Sequence, residues 1–265
     1  EGMARHPSGR AGRGLLGHRC MRLFVGWDVG GWHCDRNRES RDALVVLTLG
    51  TDGQPTLAGK AWRGSLRSTL TSHKGFDLVR AMLRHCDVSL DGTEAIMIAI
   101  DAPLGWPRAM LDLANGGDLT DVSDRDFENP YTRRQTELDL IRQGFAPLSN
   151  VRDMIGSQST KAMHFLRAAD LAPQPRARWC AGSVTAIETY PAVALKNAGC
   201  SARHGQLMDA VLSRQSITKP ALPDVRDALA CAVVAYSASE HPETVVEPPV
   251  GYPSLEGWII VPGSA

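Results

Sequence analysis

The run EAIMIAIDAPLGWP, residues 94–107, constrains the fold more than any other stretch. From Ala95 to Ile100 every residue is apolar, with neither a period-two alternation nor a helical polar stripe. A strand with one wet face alternates, so a strand apolar on both faces must be covered on both. That happens inside a parallel or mixed sheet flanked by helices. Pro103 ends the run, because proline has no amide hydrogen to give a ladder. VTAIETYP (184–191) reads the same way and stops at Pro191, and RLFVGWDVGGW (22–32) is a strand running into a Gly-rich turn. At 265 residues and 43% hydrophobic content, the chain can supply the helices such a sheet needs.

The remaining elements follow from periodicity and turn chemistry. ALVVLTLGTDGQPTLAGKAWRG (43–64) predicts two strands around an Asp52-Gly53 turn. GFDLVRAMLRHC (75–86) predicts an amphipathic helix with Phe76, Val79, Met82 and Leu83 on its inner side. Residues 108–180 read as a mainly helical insertion. Short helices are expected around 192–198 and 205–214, then a buried helix over 222–239, and a last apolar stretch at Gly257–Val261. The order β-β-β-α-β-α-β-α predicts an α/β mixed sheet with helices on both faces, as a single domain over 22–262. Residues 1–21, rich in Arg, Gly and Ser, read as a flexible leader or tag. No run approaches the ~18 apolar residues of a membrane helix, so no membrane association is expected. Cysteines at 20, 34, 86, 180, 200 and 231 form no CxxC and no zinc spacing, which fits free thiols in a reducing cytoplasm.

Each apolar strand carries one acid near its carboxyl end: Asp28, Asp101 and Glu188. Ligands of open α/β sheets bind beyond those ends. A buried carboxylate must be paired, hydrogen-bonded, protonated or bound to a cation. Singly, Asp28 can bond turn amides, Asp101 can make an Asx turn before Pro103, and Glu188 can pair with an arginine. Asp224 and Asp227 open the helix DVRDALACAVVAY on one side, where they can act as a cap and its partner. Taken together, five acids gathered at one sheet edge need a cation. Hard oxygen ligands suit Mg²⁺ or Mn²⁺, and two such ions about 3.5–4 Å apart can support phosphodiester cleavage.

These residues resemble a known family. The strand order, with an acid on the first strand and another on the fourth, resembles the RNase H-like fold. DVRDALACAVVAY is similar to the Asp-x-x-Asp-Ala-Leu-Ala helix of Holliday-junction resolvases. VGWDVGGW, AIDAPLGWP, YTRRQTE, IETYPA, DVRDALACA and EGWIIVP, spanning about 22–262, resemble the family numbered 429 among domains of unknown function, a predicted RNase H-like nuclease. The resemblance implies a metal-dependent nuclease of DNA or RNA, with Asp28, Asp101, Asp224 and Asp227 as metal ligands. Glu188 matches that family's Glu-x-Tyr-Pro motif and is expected in the catalytic set.

Formal net charge is zero, but residues 131–219 hold 12 Lys/Arg against 6 Asp/Glu, and residues 23–130 hold 11 against 16. Arg133, Arg134, Lys161, Arg176, Arg178 and Arg203 are the candidates for phosphate contacts, with solvated surface cations as the alternative. His164 and His204 are candidate proton shuttles, and Trp27, Trp32 and Trp106 are candidate base-stacking residues, core packing being the alternative. A nucleotide-hydrolysing enzyme on the same sheet is a second reading, although no GxxxxGK[ST] loop occurs. A non-catalytic binding module with an inactive acid cluster is a third. No GxSxG elbow supports Ser-His-Asp chemistry.

Overall fold

The computed structural model describes residues 21–37, 39–196, 198–214 and 222–263. The expected leader, apart from Met21, lies outside the described residues. In chain order the elements are β1 (Met21–Asp28), β2 (Asp42–Leu49), β3 (Pro55–Leu57), β4 (Trp62–Gly64), α1 (Arg67–Ser72), α2 (Gly75–Arg84) and β5 (Thr93–Asp101). Then come α3 (Arg108–Ala114), α4 (Gln135–Arg142), α5 (Gly156–Ala168), β6 (Ala172–Gln174), β7 (Arg178–Ala181), β8 (Val184–Thr189) and α6 (Pro191–Lys196). The chain continues through α7 (Ala198–Arg214), α8 (Pro223–Glu240), β9 (Val245–Val246) and β10 (Ile259–Pro262).

The fold is mixed α/β. Its sheet runs β3-β2-β1-β5-β8-β10-β9. β1, β5, β8 and β10 are parallel, as their unbroken apolar runs require. β2 is antiparallel to β1, and β3 and β4 are antiparallel to β2. The β2–β3 turn places Gly53 at φ +77, the left-handed conformation glycine adopts without penalty. The second strand expected in 43–64 is broken into β3 and β4. At Gly59 the chain leaves the ladder for the end of α2, so close that a Cβ there would lie 2.0 Å from the Cys86 carbonyl oxygen.

Helices cover both faces. On one, Leu70 of α1, Leu78 and Met82 of α2, and Phe165 of α5 pack with Leu23, Val25, Trp27, Ile98 and Ile100. On the other, α6, α7 and α8 pack with Phe24, Val45, Met97, Ala99 and Ile187. Phe76 corrects the expected face of α2: it is 41% exposed, and Arg80 covers its ring at 5.3 Å. It sits in the first turn, while Leu78, Val79, Met82 and Leu83 do the burying. The insertion over 108–180 is also less helical than expected. It contains β6 and β7, and β7 folds back antiparallel on β8 around Gly182, at φ +54. Among the described residues no helix is long and apolar enough to cross a membrane.

Candidate active site

The alternation of side chains along a strand decides which acids can meet. Phe24, Gly26 and Asp28 share one face of β1, and Met97, Ala99 and Asp101 share the same face of β5. Asp28 stands directly beside Asp101 in the parallel register. Both are half-buried at the carboxyl ends of their strands.

A glycine and a helix complete this arrangement. A Cβ on Gly26 would lie 1.8 Å from the Ala228 carbonyl oxygen and 2.3 Å from the Ala232 nitrogen, so α8 rests directly on the β1 backbone. Ala228 lies over Gly26, two residues short of Asp28. The preceding residue, Asp227, therefore reaches the strand ends. Like charges crowded there resist ionisation. Burial first, then Asp101, Asp224, Asp227 and Asp42, push the Asp28 carboxyl well above its usual range. Burial first, then Asp227 and Glu188, push Asp101 up to about 8. The same surroundings raise the Tyr190 hydroxyl, through burial and then Asp101 and Asp227.

Asp224 and Asp227 do not cap α8. Leu222 holds the cap position without a side-chain cap bond, and Pro223 opens the helix. Asp224 is buried and accepts hydrogen bonds from Arg63 Nε at 2.7 Å and the Arg41 amide at 3.0 Å. Its charge is already offset by β4. Asp227 is partly exposed, and its paired cation is its neighbour Arg226, at 3.0 Å.

Glu188 faces the other way, which corrects its expected place among the catalytic acids. It shares a sheet face with Val184 and Ala186, opposite to that of Asp28 and Asp101. Arg134 grips it bidentately at 2.7 and 2.8 Å, and the Leu104 amide donates to it at 2.9 Å. Arg134 also binds Glu137 at 2.8 Å and the Glu256 carbonyl at 2.8 Å. Glu188 touches the site as a neutralised strut.

All the expected phosphate contacts but Arg203 are likewise engaged elsewhere. Arg134 and Lys161 are fully buried and cannot meet a polymer backbone. Lys161 pairs with Asp42 and donates to the Gly30 and Gly31 carbonyls at 3.2 Å. Arg133 donates to the Pro147 carbonyl at 3.1 Å and pairs with Asp153. Arg176 and Arg178 both pair with Glu247 at 2.9 Å. Arg203 is exposed on α7 near Tyr236, towards the far end of α8.

His204 is buried, bonded to the Ala230 carbonyl at 3.1 Å, and burial lowers it to about 4, so it is a neutral core histidine rather than a shuttle. His164 packs edge-on to Trp32 and bonds the Leu70 carbonyl. Trp27 is a core residue, edge-on to Phe165 with its indole N–H on Asp42 at 3.2 Å. Trp32 is fixed by Thr160, and Trp106 lines a separate groove with Arg108 and Leu255.

Sequence reasoning missed Asp42. Behind the sheet it accepts from Trp27, the Gly30 amide at 3.0 Å, the Leu66 amide at 2.7 Å and Lys161, which fixes the turn after Asp28. A lysine within the apolar surroundings of KAMHFL was the available signal.

The acids open on a cleft of about 190 Å³ lined by Asp28, Asp101, Pro147, Leu148, Ile155, Gln158, Glu188, Tyr190 and Ile259, among others. Among the described residues that line it there is no Lys or Arg. Asp28, Asp101 and Asp227 are hard oxygen donors with more negative charge than their partners offset, which fits Mg²⁺ or Mn²⁺ in kind. Among the described residues no three such donors are drawn together around one point at ligand distance. No family model and no curated protein matches the chain.

Proposed function

We propose that this chain is a divalent-metal-dependent phosphodiesterase acting on nucleic acid, built on an RNase H-like sheet and working in a reducing cytoplasm. The observation that carries the reading is the side-by-side pair Asp28–Asp101 at the ends of parallel β1 and β5, with Asp227 brought over it by α8. A pair raised in this way is destabilising for the fold unless something positive binds it. Supporting the sheet assignment, three antiparallel strands are followed by two parallel to the first, in the order β3-β2-β1-β5-β8. The unpaired cysteines among the described residues, Cys34, Cys86, Cys180 and Cys231, suit a reducing setting.

Asp28 and Asp101 would hold Mg²⁺ or Mn²⁺, with Asp227 as the third acid of the set. When bound, the cation would supply the charge that offsets the phosphate and acidify an attacking water. The chain's own part is to orient. Arg134 and Glu188 tie β8 to the Leu104 loop and to Glu256, and Asp42 with Lys161 fixes the Gly30–Gly31 turn. Together they hold both strand ends from behind.

The cleft speaks against a nucleotide hydrolase, because at about 190 Å³ it falls short of the ~300 Å³ at which sites for whole small ligands begin. The test is cleavage of labelled single-stranded and duplex DNA and RNA with Mn²⁺, comparing wild type with Asp28→Asn and Asp227→Asn. Loss of cleavage by orders of magnitude in folded variants supports the reading. A wild type that binds Mn²⁺ and cleaves nothing leaves the non-catalytic module as the function.

A further inference from the structure

We propose that the cleft beside Asp28 and Asp101 seats one unstacked nucleobase, so that the substrate is single-stranded where it is cut. The inference rests on the phosphodiesterase reading for the cut itself, and on the cavity for the base. Away from a cation held by Asp28 and Asp101, the described lining has no Lys or Arg to hold a phosphate, whereas an uncharged ring needs no such partner. A volume of about 190 Å³ corresponds to roughly six waters at ~30 Å³ each, enough for a single ring system but not for a whole nucleotide. Pro147, Leu148, Ile155 and Ile259 give it apolar walls, and Leu148 remains 47% exposed, an apolar surface with an open side. Apolar walls with few polar groups are the usual lining for a flat ring.

Two neutral polar side chains of the lining, Ser40 and Gln158, make no hydrogen bond among the described residues, and of the two Gln158 is the one that can read a ring edge. Gln158 lines the cleft from the first turn of α5. A carboxamide offers a donor and an acceptor side by side, which matches the edge of a base. A paired and stacked base keeps its groove edge exposed but not its face or its Watson–Crick edge, so a base whose ring is to lie between the apolar walls must leave its stack to enter.

The binding arm uses the full chain without metal. Adenosine, cytidine, guanosine, uridine and ribose are titrated separately by calorimetry against wild type, Gln158→Ala and Leu148→Asp. At least one nucleoside should bind where ribose does not. Gln158→Ala should weaken the preferred nucleoside by about tenfold, the loss of one good hydrogen bond. Leu148→Asp should abolish binding. Mn²⁺ binding by the Gln158 variant should equal wild type. Failure of every nucleoside to bind at millimolar concentration, or binding indifferent to both substitutions, overturns the proposal. The cleavage arm places an abasic site at each position of a single-stranded substrate. One position should reduce cleavage at least about tenfold, and uniform tolerance overturns the proposal. If no substrate is cut but nucleoside binding follows the variants, the phosphodiesterase reading fails and the base seat stands.

Discussion

Asp101 shows how a single carboxyl carries both a cost and a function. Its raised value of about 8 means that the folded protein holds a proton which the unfolded chain, near 3.8, has already released. Below about pH 4 that contribution to stability is fully present, and it is lost as pH rises through about 8. Metal-free protein should therefore melt at a lower temperature at pH 8.5 than at pH 6, and Asp101→Asn should flatten that difference. Melting curves across the range check it, and an unchanged slope in the variant would remove Asp101 as the cause. Because ligands must be deprotonated, Mn²⁺ affinity should rise over the same interval. Arg134 behaves oppositely. Arg134→Met leaves Glu137 and Glu188 buried without their cation and should cost about 3–5 kcal/mol in urea denaturation. A cost near zero would mean that the triad does not hold the site's back wall. The acids at the strand ends were legible from the sequence, but their facing was not. In IAID the aspartate's side follows from register, and in TAIET Glu188 stands between Ile187 and Thr189, both buried, so no wet face shows that Glu188 turns away.

At the scale of elements, α8 and β1 form the site through one missing side chain. Gly26→Ala puts a methyl into the Ala228 carbonyl and should cost about 1–3 kcal/mol or more. It should also weaken Mn²⁺ binding although it changes no ligand, because α8 must lift and take Asp227 with it. Calorimetric titration of the folded variant reads this directly; wild-type affinity would mean that Asp227 is not needed. The helix itself was plain in the sequence, since DALACAVVAY is apolar all round. The close approach was not, because a glycine inside FVGWD looks like any strand glycine until the partner is in place. For the same reason β6 and β7 went unseen, as did the break that separates β3 from β4: strands of three or four residues carry too few alternations to register.

Over the whole molecule, charge is arranged for internal pairing rather than display. The excess of Lys and Arg in residues 131–219 is largely spent on Glu188, Asp42, Asp153 and Glu247. Composition could locate that excess but not its partners, two of which, Glu188 and Asp42, are buried. Binding to single-stranded nucleic acid should then depend weakly on salt, with a log–log slope shallower than about −3, since few phosphates meet a cation. A steep slope, measured with Ca²⁺ in place of Mn²⁺, would reveal a basic surface away from the cleft.

The central claim is that Asp28 and Asp101 are held together to bind a cation, and anomalous diffraction from crystals soaked in millimolar Mn²⁺ tests it most directly. The expected result is a peak about 2.0–2.2 Å from a carboxylate oxygen of each, absent in Asp28→Asn crystals. Peaks confined to other surfaces, with the Asp28–Asp101 pair bare, would contradict it.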